Sequence, residues 1–144
     1  MAPANTQFAV AVHIMAVLGC HARADSEPVT SALLAQSINT SASFVRRTLS
    51  LLAKANLVHT TRGPSGSCSL ARPAQEITML DIYRAVNAPK VFSLHTYPPQ
   101  EKCSVSCRIK YAMTGLLDQA QESMEESLSK RTLSTLIREL EDSE

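Results

Sequence analysis

The sequence has no tryptophan, and aromatic residues make up only 4% of its 144 positions. Its interior must therefore be aliphatic, built from Leu, Val, Ile, Ala and Met. No apolar run reaches the roughly 18 residues that a membrane span needs. The opening stretch MAPANTQFAVAVHIMAVLGC invites comparison with a secretion signal, but no Lys or Arg precedes it, and His13 and Gly19 interrupt it. A cytoplasmic protein without a membrane partner is expected. The four cysteines, Cys20, Cys68, Cys103 and Cys107, are irregularly spaced, and a chain of this length can build a core without disulfide staples. Cys20 reads as a small core hydrophobe. Enzyme constellations are missing as well: there is no nucleophile elbow, P-loop or HExxH motif, and His13, His21, His59 and His95 suggest no triad. Catalysis is not expected.

One absence is local. From Val29 to Gln75 there is no Asp or Glu, while Arg46, Arg47, Lys54, Arg62 and Arg72 all fall in that window. The acids gather later, at Glu122, Glu125, Glu126 and in the final ELEDSE. A basic window beside an acidic half implies one part that faces a polyanion and another with a separate task.

Hydrophobic periodicity gives the elements. Thr6 to Leu18 reads as a largely buried helix. Thr30 or Ser31 caps a second helix with Leu33, Leu34 and Ile38 inward. Asn39 suits a turn, and Ser41 caps a third helix with Val45, Leu49 and Leu52 on one face. Asn56 ends that helix in the left-handed conformation. Two short helices around a tight turn form a helix-turn-helix. LVHTT then reads as a strand, RGPSGSC as a turn and SLAR as the returning strand, which Pro73 ends. Thr78 and Asp81 start a further helix with a capping box. A proline-rich connector follows, then a helical pattern from about Ser104 to Leu128, and Thr132 opens a last short helix. The fold class is mainly α: a winged helix-turn-helix domain with a two-stranded wing, plus a long C-terminal dimerisation helix. The division is 1–87 for the winged domain, 88–103 for the connector and 104–144 for the dimerisation helix and short last helix.

Four features bear on function. Ser41, Ser43, Arg46 and Arg47 lie in the first two turns of the third helix, where a recognition helix meets base edges and phosphates. Arg46 and Arg47 are about 100° apart on the helix, so one suits bases and the other phosphate. The wing, with Arg62 at its base and the small residues Gly63, Pro64, Ser65 and Gly66 at its tip, is thin enough for a minor groove. Arg72 steadies the hairpin base or touches DNA backbone. The stripe on the long helix needs a partner surface; packing within the chain is one, but the simplest is its own copy through residues 104–128, giving a two-fold dimer that fits a palindromic duplex site. Cys103 and Cys107 share a helix face. With Cys68 and His95 they are candidate sensor residues, as a thiol switch, as part of a metal site, or as cysteines without a role. No metal ligand set is assigned.

The run RGPSGSCSLARPAQEITMLDIYRAV resembles the signature of the Rrf-two (Rrf2) family of bacterial winged-helix transcription regulators, in its YwnA-like branch. Arg62, Gly63, Gly66, Leu70, Ala71, Arg72, Pro73, Glu76, Ile77, Thr78 and Asp81 stand in the signature's places. The resemblance spans about Gln7 to Leu140. It implies a dimeric DNA-binding repressor, with Ser41, Ser43, Arg46 and Arg62 contacting DNA. The family's iron–sulfur branch places three cysteines before the long helix; only Cys103 and Cys107 stand there, so no cluster or other cofactor is expected. Ser67 and Cys68 replace the family's usual Gly and Tyr. A second reading, a winged-helix module that docks on a metabolic enzyme, would leave the basic wing without a purpose.

Overall fold

The computed structural model describes residues 6–22, 27–61 and 66–143. The expected wing residues Arg62, Gly63, Pro64 and Ser65 lie outside the described residues. The chain is mainly helical, with one two-stranded antiparallel sheet.

Helix α1 (Thr6–Cys20) turns Ala11, Ile14, Met15 and Leu18 into the core. Cys20, expected inside, is exposed: it sits in the final turn, beyond the last core-facing residue. Helix α2 (Ser31–Ile38) starts at Thr30, whose hydroxyl accepts the Leu33 N–H at 3.1 Å. It ends at Asn39, which holds φ 63°, a conformation Asn tolerates better than most side chains. Helix α3 (Ala42–Lys54) is capped by Ser41, which accepts from Phe44 N–H at 3.3 Å. Val45, Leu49 and Leu52 bury its inner face together with Thr48. The Thr48 hydroxyl is satisfied by donating to the Phe44 carbonyl. Asn56, at φ 59°, turns the chain out of α3.

Strands β1 (Val58–Thr60) and β2 (Cys68–Leu70) pair with Val58 opposite Leu70 and Thr60 opposite Cys68. The returning strand therefore begins at Cys68 rather than Ser69 and stops at Leu70. Cys68 is recruited because its other edge bonds to Val29, with its N–H 2.7 Å from that carbonyl. After a 3-10 turn at Ala74–Glu76, helix α4 (Met79–Ala85) opens with the full capping box: Thr78 Oγ1 accepts from Asp81 N–H, and Asp81 Oδ2 accepts from Thr78 N–H.

Helix α5 (Ser104–Ser129) has no buried residue along its 26 positions. Helix α6 (Leu133–Glu141) is capped by Thr132 and packs on the core. Leu133 is fully buried in the core, and its N–H donates to Ile77 O at 2.8 Å. Ile137 lies so close to Gly19 of α1 that a β-carbon there would collide with it. One core thus joins α1 to α4, the sheet and α6, while α5 lies largely outside it.

Candidate nucleic-acid interface

The amphipathic pattern of α3 fixes its outer face. With Val45, Leu49 and Leu52 inward, Ser43, Arg46, Arg47 and Ser50 must lie outward, and all four are exposed. Ser41, at the N-cap, is exposed too; its oxygen serves the helix terminus and lies 3.5 Å from Ser43 Oγ. The two arginines diverge. Arg47 rests over the Phe44 ring, 5.6 Å from its centroid. Arg46 instead lines an open cleft of about 540 Å³ between α3, the start of α2 and the wing.

That cleft brings Arg46 and Gly66 together with hydroxyl side chains: Thr30, Ser31, Ser50, Thr60 and Thr61. The sequence marks Thr30 and Ser31 only as helix caps and does not single out the others for function, although the acid-free window contains every one of them. The wing's two ends are tied just below its tip: Thr61 N–H donates to Ser67 O at 2.9 Å, and Ser67 N–H donates to Thr61 Oγ1 at 2.8 Å. Among the described residues no ion pair engages Arg46 or Arg47. The whole face is built from a segment without a carboxylate, so its positive charge is not offset locally.

Arg72 takes the first of the two roles the sequence offers it, at the hairpin base, and Cys68 is covered. Arg72 reaches Asp81 at 3.7 Å, linking the hairpin base to the capping box of α4. Cys68 lines the cleft but is buried, and burial pushes its thiol above the ordinary cysteine range. It is therefore a poor thiolate. The remaining sensor candidates are on the far part of the chain. His95 is exposed and sits against Tyr97, with ring centroids 5.5 Å apart. Cys103 is the N-cap of α5, and Cys107 follows one turn on, its N–H donating to Cys103 O at 3.1 Å. No group of three His, Cys, Asp or Glu side chains that could hold a metal is found among the described residues.

The family model described as Rrf2, iron-dependent transcriptional regulator, matches residues 4–139. The chain belongs to the Rrf2 family of transcriptional regulators. It is 32% identical over 137 residues to the HTH-type transcriptional regulator YwnA of Bacillus subtilis (strain 168), covering 94% of this chain and 98% of that protein. Its fold resembles that of CymR (YrzC), the global cysteine regulator of B. subtilis, with a TM-score of 0.65 at 23% identity, over 96% of this chain and 98% of the other. It also resembles T. potens IscR, with a TM-score of 0.71 at 22% identity, over 99% of this chain and 91% of the other. As an Rrf2 regulator the chain is a winged-helix protein, and no described helix is long and apolar enough to cross a membrane.

Proposed function

We propose that this Rrf2 regulator is a cytoplasmic homodimer that represses transcription by binding a palindromic DNA operator through α3 and the wing. The carrying observation is the acid-free face on which Arg46 and Arg47 are exposed beside a hydroxyl-lined cleft. A duplex explains this geometry. When a helix lies in the major groove and a wing in the adjacent minor groove, the sugar–phosphate ridge between them must occupy the cleft. Hydroxyls and an arginine are the donors a phosphate uses. Arg46 is accordingly a phosphate ligand. Arg47 and Ser43, on the other side of the helix face, read bases. Arg62 and Ser65 belong to the wing's own contact, and Arg72 acts indirectly by fixing the hairpin base. The dimer rests on α5, whose outward residues Val105 and Leu116 are 64% and 61% exposed.

Selection of bound duplexes from a randomised pool, followed by titration at several salt concentrations, tests the reading. An inverted repeat should emerge, and log affinity should fall with log salt by about 0.9 for each phosphate neutralised. Failure to enrich any sequence, or affinity indifferent to salt, would overturn it.

A further inference from the structure

Residues 88–103 run back along α5 as a strap. Lys90 pairs with Asp118 at 3.5 Å, and Val91 N–H donates to Gln121 Oε1 at 3.1 Å. Further on, Lys110 Nζ donates to Tyr97 O at 2.6 Å, and Gln100 N–H donates to Ser106 Oγ at 2.7 Å. The strap's residue numbers rise while those of its helical partners fall, so it lies antiparallel to α5. Its last fastening is made by two thiols. Cys103 is the N-cap of α5, its sulfur accepting from Ser106 N–H at 3.4 Å. One turn on, the Cys107 thiol donates back to the carbonyls of Gln100 and Glu101, at 3.5 and 3.8 Å. Both cysteines are exposed.

We propose that Cys103 and Cys107 are a peroxide-responsive dithiol, and that their oxidation to an intrachain disulfide unlatches this strap and resets DNA affinity. The two sulfurs already differ in role: Cys103 accepts a hydrogen bond at the helix start, whereas Cys107 donates to two carbonyls. Cys103 as thiolate attacks hydrogen peroxide, forming an S–O bond while the O–O bond breaks, and hydroxide leaves. Cys107 then attacks the sulfenic sulfur. The S–S bond forms, the S–O bond breaks, and the Cys107 proton leaves with the oxygen as water. Two electrons pass from the sulfurs to one peroxide.

The geometry makes this step mechanical. Cβ atoms four apart on a helix lie about 5–6 Å from each other, whereas a disulfide needs about 3.5–4.5 Å. Closing the bond must therefore distort the first turn of α5. It also removes the cap on Ser106 N–H and the Cys107 bond to Gln100. A strained, exposed disulfide is readily reduced, which suits a reversible signal. Cys107 and the strap anchors lie roughly opposite the Val105–Ile109–Leu116 stripe at 100° per residue, so of that stripe only Val105, within the first turn, is drawn into the distortion. The effect on DNA rests on the proposed operator reading; the thiol chemistry does not.

The full-length protein, reduced and then given one equivalent of hydrogen peroxide, should lose two hydrogens in mass and yield a linked Cys103–Cys107 peptide. Cys107→Ser should stop at a sulfenic acid on Cys103, trapped by dimedone, while Cys103→Ser should react much more slowly. Hydrogen exchange should quicken several-fold in residues 91–107 of the oxidised wild type and return with dithiothreitol. A disulfide between chains or to another cysteine, or unchanged exchange in the oxidised protein, would overturn the latch. Faster exchange with unchanged affinity for the selected duplex would overturn its regulatory consequence. Reduced protein that binds no duplex would overturn the operator reading and leave the thiol result standing.

Discussion

Arg46 and Arg47 are neighbours in sequence, yet they belong to different contacts. Arg46 faces the cleft where a phosphate ridge would lie, and Arg47 is propped on Phe44 toward the other side of α3. A phosphate contact carries no sequence information, whereas a base contact does. Arg46→Ala should weaken binding about evenly across operator variants and lower the salt slope by about 1. Arg47→Ala should cost about 1–3 kcal/mol, concentrated at one base position of each half-site. Titrating both variants against a panel of single-base operator changes distinguishes them; an exchange of the two patterns would reverse the assignment. Cys68 makes a second single-residue case. Its thiol is buried and pushed upward by desolvation, so the folded protein keeps that proton where the unfolded chain gives it up. The folded state binds more protons above pH 9.0, so stability should fall as pH rises past that value. Cys68→Ala should remove this part of the alkaline loss in urea titrations at rising pH. In the native wild type, iodoacetamide should modify Cys103 and Cys107 well before Cys68.

At the scale of elements, the ends of helices were legible in the sequence because capping is local chemistry. Ser41, Asn39, Asn56, Thr78 with Asp81, and Thr132 all act where the sequence places them. A hydroxyl three residues before the amide it serves needs no tertiary information. What the sequence did not disclose depends on contacts between distant segments. Cys68 joins β2 because Val29, 39 positions earlier, supplies its second edge. That Arg72 steadies the hairpin base is one of the sequence's two readings, but its partner there, Asp81 on α4, is not. The cleft's hydroxyls come from α2, α3 and the wing, three elements whose meeting no periodicity encodes. The capping box of α4 carries more than its own helix, since Met79 N–H donates to Arg131 O and Thr78 pairs with Thr132 at the root of α6. Thr78→Ala should therefore cost at least the usual cap value of about 1 kcal/mol. That corresponds to a drop of about 2–4 °C in melting temperature for a chain of this size. Calorimetry on the wild type and variant checks it, and an unchanged melting temperature would show that the α6 junction holds α4 without the cap.

For the whole molecule, α5 poses the question of what its outer face is for. Its inner side is occupied: Arg84 pairs with Glu125, Gln121 donates to the Tyr83 hydroxyl, and the strap covers the turns nearer Cys103. The stripe through Val105, Ile109, Ala112 and Leu116 points away from all of these, recurring every three to four residues over about 16 Å of helix. The sequence marks a wider stripe, through Val105, Ile109, Met113, Leu116, Leu117, Ala120, Met124 and Leu128, and only the strap, the α4 contacts and the packing of Leu128 on the core show which side is left over. If a second copy covers it, a charge in its middle must separate the subunits. Leu116→Glu should be a monomer in sedimentation experiments at concentrations where the wild type is a dimer. Its operator affinity should fall by about 10²-fold or more, because joined heads gain that much from engaging two half-sites at once. Tyr111→Glu is the matched control: Tyr111 is 90% exposed, yet about 140° round the helix from the centre of the stripe. It should remain dimeric and bind normally. A Leu116→Glu protein that still sediments as a dimer, with Tyr111→Glu dissociated, would move the interface to the other side of α5. The strap would then lie inside it, and the thiol pair would control assembly rather than the setting of the DNA-binding heads.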